Sequence, residues 1–307
     1  MSDVACHEVD EERIAHALDD IRGRAYGRWH ALRYDSLSLT GLQAMADELL
    51  DHVAARSLAD PALAADTTRE VLRTAAECAL GALNLGCFPN GDFEIPLPVV
   101  DETLSSEDLG FEHALEWAPT ARTWVEAFAL CVAAGTVRQW QRVIGLLLRG
   151  DYAPAIRDGV PYSALESRSE AADLAEMDAL CGYLTEASGH LPKHWPTAPL
   201  RKPDLDERLA AIRRLGAVGP LTPDQQLLRV LLVDDRPAFE RALAERLQRH
   251  RADMAAADPA PRSLLPAGTI ALAALAVQVH GWDLELSSGY LPEGLLRGPE
   301  GVPRAAV

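Results

Sequence analysis

The 307-residue chain carries 46 Asp and Glu against 29 Lys and Arg, a formal charge of −17, with 48% apolar and only 6% aromatic residues. That apolar share supports a sizeable core and excludes wholesale disorder. The acidity excludes direct nucleic-acid binding, which needs clustered Lys and Arg to displace counterions, and adsorption to anionic membranes; small molecules, metals and basic proteins remain.

The most apolar run, Thr269 to Val279, is far short of the roughly 20 residues that span a bilayer. The first residues are acidic at Asp3, Glu8, Asp10, Glu11 and Glu12, unlike a secretory signal. Cys6, Cys78, Cys87, Cys131 and Cys181 are widely spaced, odd in number and without a CxxC, the pattern of reduced core thiols in a cytoplasmic protein.

Local propensity and periodicity predict helix over most of the chain. Ile14, Leu18, Ile21, Ala25, Trp29 and Leu32 line one face of a helix over Glu11–Leu32. Thr40 precedes a second stripe from Leu42 to Val53, Asp60-Pro61 reads as a helix start, and Thr67–Leu85 forms a further helix. Gly23 and Gly27 are read as allowing close helix packing. From Gly86 to Thr103 the pattern stops: Pro89, Asn90-Gly91, Pro96 and Pro98 predict an exposed, extended connection. Such long connections are often functional, and this one is acidic at Asp92, Glu94, Asp101 and Glu102, followed by Glu107 and Asp108.

Ser105 or Ser106 is the expected cap of a helix running to Trp117, and helices follow at Thr120–Ala134, Thr136–Arg149 and Glu170–Thr185. Pro192, Pro196, Pro199 and Pro203 mark a second irregular stretch. Helices resume at Asp204–Leu215, Pro223–Val233, Pro237–Met254 and Ala267–His280, and Gly281–Leu286 reads as a short strand or extended arm. Ile144–Ile156 echoes Leu228–Phe239: each has a leucine-rich helix end, an Asp turn and a second helix near proline, as in stacked helical hairpins. The expected fold is therefore all-α, stacked antiparallel helical hairpins of solenoid or bundle type with a short C-terminal arm. Residues 1–297 form one domain, or two packed halves (1–88 and 104–297) joined by the 89–103 loop, with a disordered tail at 298–307.

Chemical motifs are missing. Asp19-Asp20 and Asp234-Asp235 lack the third Asp of a magnesium-diphosphate site and read as helix-end carboxylates. His113 precedes Glu116, the reverse of a di-iron Glu-x-x-His, and Pro192 separates His190 from His194. His16, His30, His52, His250 and His280 stand singly, and no GxSxG, Walker loop or GxGxxG occurs. No enzyme activity, cofactor or metal is expected.

Three segments carry a resemblance. Leu264-Leu265-Pro266-Ala267-Gly268-Thr269-Ile270-Ala271 opens an Ala/Leu helix; His280-Gly281-Trp282-Asp283-Leu284-Glu285-Leu286 and Tyr290-Leu291-Pro292 follow. This ending, with the Asp173-Leu174-Ala175-Glu176-Met177 helix and the Leu148-Arg149-Gly150-Asp151 turn, resembles the immunity protein 49 family, found mainly in actinobacteria. The resemblance implies a cytoplasmic protein that binds and neutralises a cognate bacterial toxin. Acidity adds the expectation of a basic toxin, of nuclease type, met by Asp92, Glu94, Asp101, Glu102, Glu107 and Asp108. The alternatives are a helical-repeat scaffold binding a peptide or protein, and an all-α enzyme with an unrecognised pocket.

Overall fold

The computed structural model describes residues 3–35, 37–88, 91–106, 117–139, 149–158, 168–184 and 200–297. These residues are mostly helical, with one small hairpin. The first layer is α1 (Glu11–Leu18), α2 (Ile21–Tyr34), α3 (Leu39–Ser57) and α4 (Asp66–Cys87). Strand β1 (Asp3–Val4) precedes them, and β2 (Glu94–Leu97) and β3 (Glu102–Ser105) follow. Then come α5 (Ala121–Ala133), α6 (Arg149–Asp158), α7 (Ala171–Cys181), α8 (Leu205–Ala217), α9 (Pro223–Val233), α10 (Arg236–Ala255) and α11 (Ala267–Gln278). The chain closes with β4 (Ser287–Ser288) and the single turn α12 (Glu293–Leu296).

Helix α4 packs on α3 and on α5, and α5 packs on α11. Buried residues surround α4 on nearly every side from Val71 to Cys87, and α11 is buried from Thr269 to Ala276, as befits helices enclosed by others. Trp124 and Phe128, both fully buried, stack at 5.3 Å where α5 enters the core. Helices α7, α8, α9 and α10 pack each on the next, and α7 and α9 touch α5 and α11. Reciprocal caps set three of their starts: Thr120 with Thr123, Asp204 with Glu207, and Thr222 with Gln225 each exchange side-chain and backbone bonds.

Several sequence expectations are corrected. The helix expected over Glu11–Leu32 breaks at Asp19-Asp20: Asp19 ends α1, and Asp20, at φ 21°, caps α2 by accepting from the Gly23 amide. A Cβ on Gly23 would collide with that carboxylate at 2.1 Å, whereas one on Gly27 would meet nothing. Gly23 thus makes room for a cap, and neither glycine brings helices together. Asp60-Pro61 starts no helix; Asp60 accepts from the Ala64 amide at 2.9 Å and shapes the turn before α4. Thr136–Arg138 is one 3-10 turn, and most of the helix expected beyond it lies outside the described residues. So do most of the helix expected to Trp117, the proline segment from Pro192 to Pro199, His190, His194 and the tail from residue 298. Of the internal echo, Ile144–Leu148 lies outside the described residues; Asp235 caps α10 after Asp234 in a left-handed turn, whereas Asp151 lies inside α6 and not in a turn.

The largest correction concerns the acidic connection. Helix α4 runs on to Cys87, and β2 and β3 then pair antiparallel, Glu94 opposite Ser105 and Leu97 opposite Glu102. Alternation puts Ile95, Leu97 and Leu104 inward, where all three are buried, and Val99 follows them. Pro96 is tolerated because a two-stranded ribbon is all edge. The segment is a docked hairpin, not an exposed irregular linker.

Candidate functional site

The hairpin is held from three sides. At its base, Ser106 Oγ accepts from the Phe93 amide at 2.7 Å and donates to the Gly91 carbonyl at 2.9 Å, so Ser106 closes a ribbon where a helix cap was expected. The helix that Ser105 or Ser106 was expected to cap lies outside the described residues, so that expectation stands apart from this bond. On α4, Thr74 Oγ1 accepts from the Val99 amide at 3.1 Å. On α2, Arg22 Nε donates to the Val99 carbonyl at 2.8 Å and Trp29 Nε1 to the Thr103 carbonyl at 3.4 Å. The loop turns through a 3-10 turn at Pro98–Val100 and through Asp101 at φ 56°, a left-handed conformation that Asp tolerates.

The sequence-predicted residues fall on this ribbon as follows. Asp92, Glu94 and Asp101 are exposed. Glu102 lies half-buried on the inner face, opposite Leu97. Among the described residues none of these four carboxylates has an ion-pair partner, unlike Glu48, Asp51, Glu207 and Asp234. Glu107 and Asp108 lie outside the described residues.

Beside the hairpin, α2 carries a group of rings, of which sequence reading placed Trp29 on the apolar helix face and took His30 as a single histidine. Trp29 is buried; Tyr26 is 49% and Tyr34 63% exposed. Tyr26 lies 5.0 Å from Trp29, His30 4.7 Å from Tyr34, and the Arg33 guanidinium 5.7 Å from the Tyr34 ring. The available signal was aromatic and imidazole rings at every fourth position, Tyr26, His30 and Tyr34.

The titratable clusters elsewhere are closed. Tyr183 Oη meets His280 Nε2 at 2.9 Å, His280 Nδ1 meets Asp234 at 2.7 Å, and Asp234 also takes Lys202 at 2.8 Å. This has the outline of a catalytic relay, but Tyr183 is fully buried, and burial pushes its phenol up, away from any nucleophilic role. Burial lowers the His280 imidazole despite Asp234, so it is held neutral. For Asp234, burial raises the carboxyl but Lys202 and His280 together outweigh it and hold it low. A second chain joins the termini: Tyr290 Oη accepts from the His7 amide at 2.8 Å and meets its Nδ1 at 2.7 Å, while His7 Nε2 meets Ser263 Oγ at 2.9 Å. The cleft of about 700 Å³ between α1 and α3 is lined by groups already paired to each other, Arg24 and Arg28 to Glu48 and Arg262 to Asp51. Among the described residues no three His, Cys, Asp or Glu side chains group to hold a metal ion. No described helix is long and apolar enough to cross a membrane.

These features define a mostly helical protein whose described titratable clusters are paired among themselves. The family model described as Immunity protein 49 matches residues 60–295, most of the chain, and the chain belongs to that family. The family neutralises cognate toxins of polymorphic toxin systems and is typically non-enzymatic. No curated protein and no solved structure matches the chain. The matched range includes the hairpin, the Tyr183–His280–Asp234 cluster and, of the second chain, Tyr290 and Ser263 but not His7. His280 and Tyr290, which carried the resemblance, prove to be residues that tie distant segments together.

Proposed function

We propose that this immunity protein acts in the cytoplasm by covering a basic face of its toxin with the acidic hairpin, and that the toxin is a nuclease whose substrate cleft supplies the positive charge. The observation that carries this reading is the hairpin itself. Asp92, Glu94 and Asp101 are exposed on a ribbon pinned to α2 and α4, and they and Glu102 have no ion-pair partner among the described residues. Carboxylates fixed on such a support lose little entropy when a cation arrives. With a chain charge of −17 behind them, they attract a basic partner over several ångströms and raise its association rate. Glu107 and Asp108 extend the same run of sequence.

The test uses candidate toxin domains taken from the genes adjoining this chain's own. Co-expression should protect cells, and its failure to do so would remove the pairing. Asp101→Lys with Glu102→Lys should slow association roughly tenfold at low ionic strength and flatten its salt dependence, read by surface plasmon resonance. An association rate equal to wild type at every salt concentration would rule out the hairpin as the charged contact.

A further inference from the structure

We propose that His7 is an acid-sensitive latch: proton uptake at its Nδ1 breaks the bond to Tyr290, and residues 3–9 lift off the C-terminal segment while the helices stay folded. The inference is independent of which surface meets the toxin.

The hydrogen bonds fix the state of the imidazole. Ser263 Oγ donates its proton to the Ala260 carbonyl at 2.6 Å, so toward His7 Nε2, at 2.9 Å, it accepts. Nε2 therefore carries a proton. Tyr290 Oη accepts from the His7 amide at 2.8 Å, and its own proton goes to His7 Nδ1 at 2.7 Å. Nδ1 is thus an acceptor, and the ring is neutral. A proton added there turns the acceptor into a donor. The Tyr290 hydroxyl then has no acceptor for its own proton among the described residues, in a side chain that is fully buried. The new cation is buried as well, because His7 is only 6% exposed.

The surrounding charges do not offset that cost. The His250 ring lies 5.9 Å from His7, and each imidazole opposes a charge on the other. From α10, Arg251 acts on Cys6 and Tyr290, and Asp253 acts on His250. Arg246 is paired with Asp224 of α9 at 2.7 Å, and Arg262, next to Ser263, with Asp51 of α3 at 2.9 Å. Burial keeps Cys6 a neutral thiol, and Glu8 is exposed. Among the described residues His7 has no ion-pair partner, whereas His280 has Asp234 at 2.7 Å to receive its charge. Burial, with His250, accordingly holds the His7 imidazole below its ordinary value.

The anchoring decides which side moves. The C-terminal segment is fastened elsewhere, by the Gly294 amide to the Ala62 carbonyl at 3.0 Å and by Gln278 Nε2 to the Leu296 carbonyl at 3.1 Å. Residues 3–9 have a two-residue ladder on β4 and the Ser288 hydroxyl on the Val4 carbonyl at 2.7 Å. Val4 is their one buried apolar side chain. So short a ladder depends on the His7 bonds to stay closed. The closed form binds fewer protons than the open one, so the latch is full above pH 6.5 and weakens as pH falls.

The experiment follows amide exchange of the full chain from pH 7.5 to 5.5, corrected for intrinsic rates, beside an NMR titration of the His7 ring. Protection of residues 3–9, the His7 amide above all, should fall roughly tenfold, with the midpoint at which His7 takes up its proton. Helices α4 and α11 should keep their protection. His7→Gln should abolish the fall, and His250→Gln should retain it. Undiminished protection of residues 3–9 at pH 5.5 overturns the latch. Equal loss in α4 and α11 overturns it too, because the event would then be global unfolding. So does a fall that persists in His7→Gln. If His7→Gln is open at every pH, the wild-type titration decides alone: a His7 midpoint about one pH unit or more from that of opening removes His7 as the trigger.

Discussion

Glu176 shows how a single residue reports on its surroundings. It is only 3% exposed at the junction of α5, α7 and α9, where Gln225 Nε2 donates to it at 3.0 Å and Arg122 approaches to 3.6 Å. Burial raises its carboxyl from 4.5 to about 7, against the lowering effects of Gln225 and Arg122. A folded-state value above the unfolded one means that ionisation opposes folding. The penalty is absent below pH 4.5, grows as pH rises, and is complete above pH 7. Glu176→Gln keeps an acceptor for Gln225 and removes the charge, so it should stabilise the protein by on the order of 1–3 kcal/mol above pH 7 and by little below pH 4.5. Urea unfolding at both ends of that range checks it; an equal effect at both would show that charge burial is not the cause. A shifted carboxyl in a cleft would suggest catalysis, but this one is closed in by helices and serves packing.

At the scale of elements, the hairpin depends on what α4 leaves vacant. A Cβ placed on Gly81 would fall 2.4 Å from Ile95 Cδ1 and 2.8 Å from Cγ1, so glycine is what lets β2 lie against the helix. Gly81→Val should lift the ribbon while leaving the helices formed. Amide exchange in residues 94–105 should accelerate, toxin association should slow, and helical circular dichroism should stay near wild type. Protection of the 94–105 amides equal to wild type would show that the ribbon is held by its hydrogen bonds and not by packing against Gly81. The prolines that suggested a loose connection are compatible with a ribbon because Pro96 sits on an edge and Pro98 opens a 3-10 turn.

Across the whole molecule, the two ends of the chain are fastened together. Strand β1 pairs in parallel with β4, and the Gly294 amide donates to the Ala62 carbonyl at 3.0 Å, closing α12 onto the turn before α4. Four imidazoles are packed between separate segments, His7 against Tyr290, His52 against Ala17, His250 against Ser263 and His280 against Tyr183, each lowered from 6.5 chiefly by burial. A depressed histidine contributes stability that is full above pH 6.5 and is lost as the unfolded chain takes up protons below it. Glu176 works in the opposite direction over the same range, so the test uses Glu176→Gln. In that variant the melting temperature should fall as pH drops through 6.5, which calorimetry would show; a flat profile there would mean that the imidazoles are solvated in the fold.

Much of this was legible in the sequence because helices are local. A cap and its partner three residues on, or an apolar stripe at every third or fourth position, can be read without knowing what packs against them, as at Thr120, Asp204 and Thr222. The charge, the missing catalytic motifs and the family ending at His280 and Tyr290 were likewise determined by sequence alone. The tertiary structure decided the rest. Ile95 faces Leu104, Trp29 bonds Thr103, and Tyr183 meets His280 only when the chain has folded, since each pairing joins segments whose own patterns do not specify one another. Glu94 and Glu102 read as one acidic run, yet they lie on opposite faces of a ribbon, because a strand turns alternate side chains apart while linear charge counting does not.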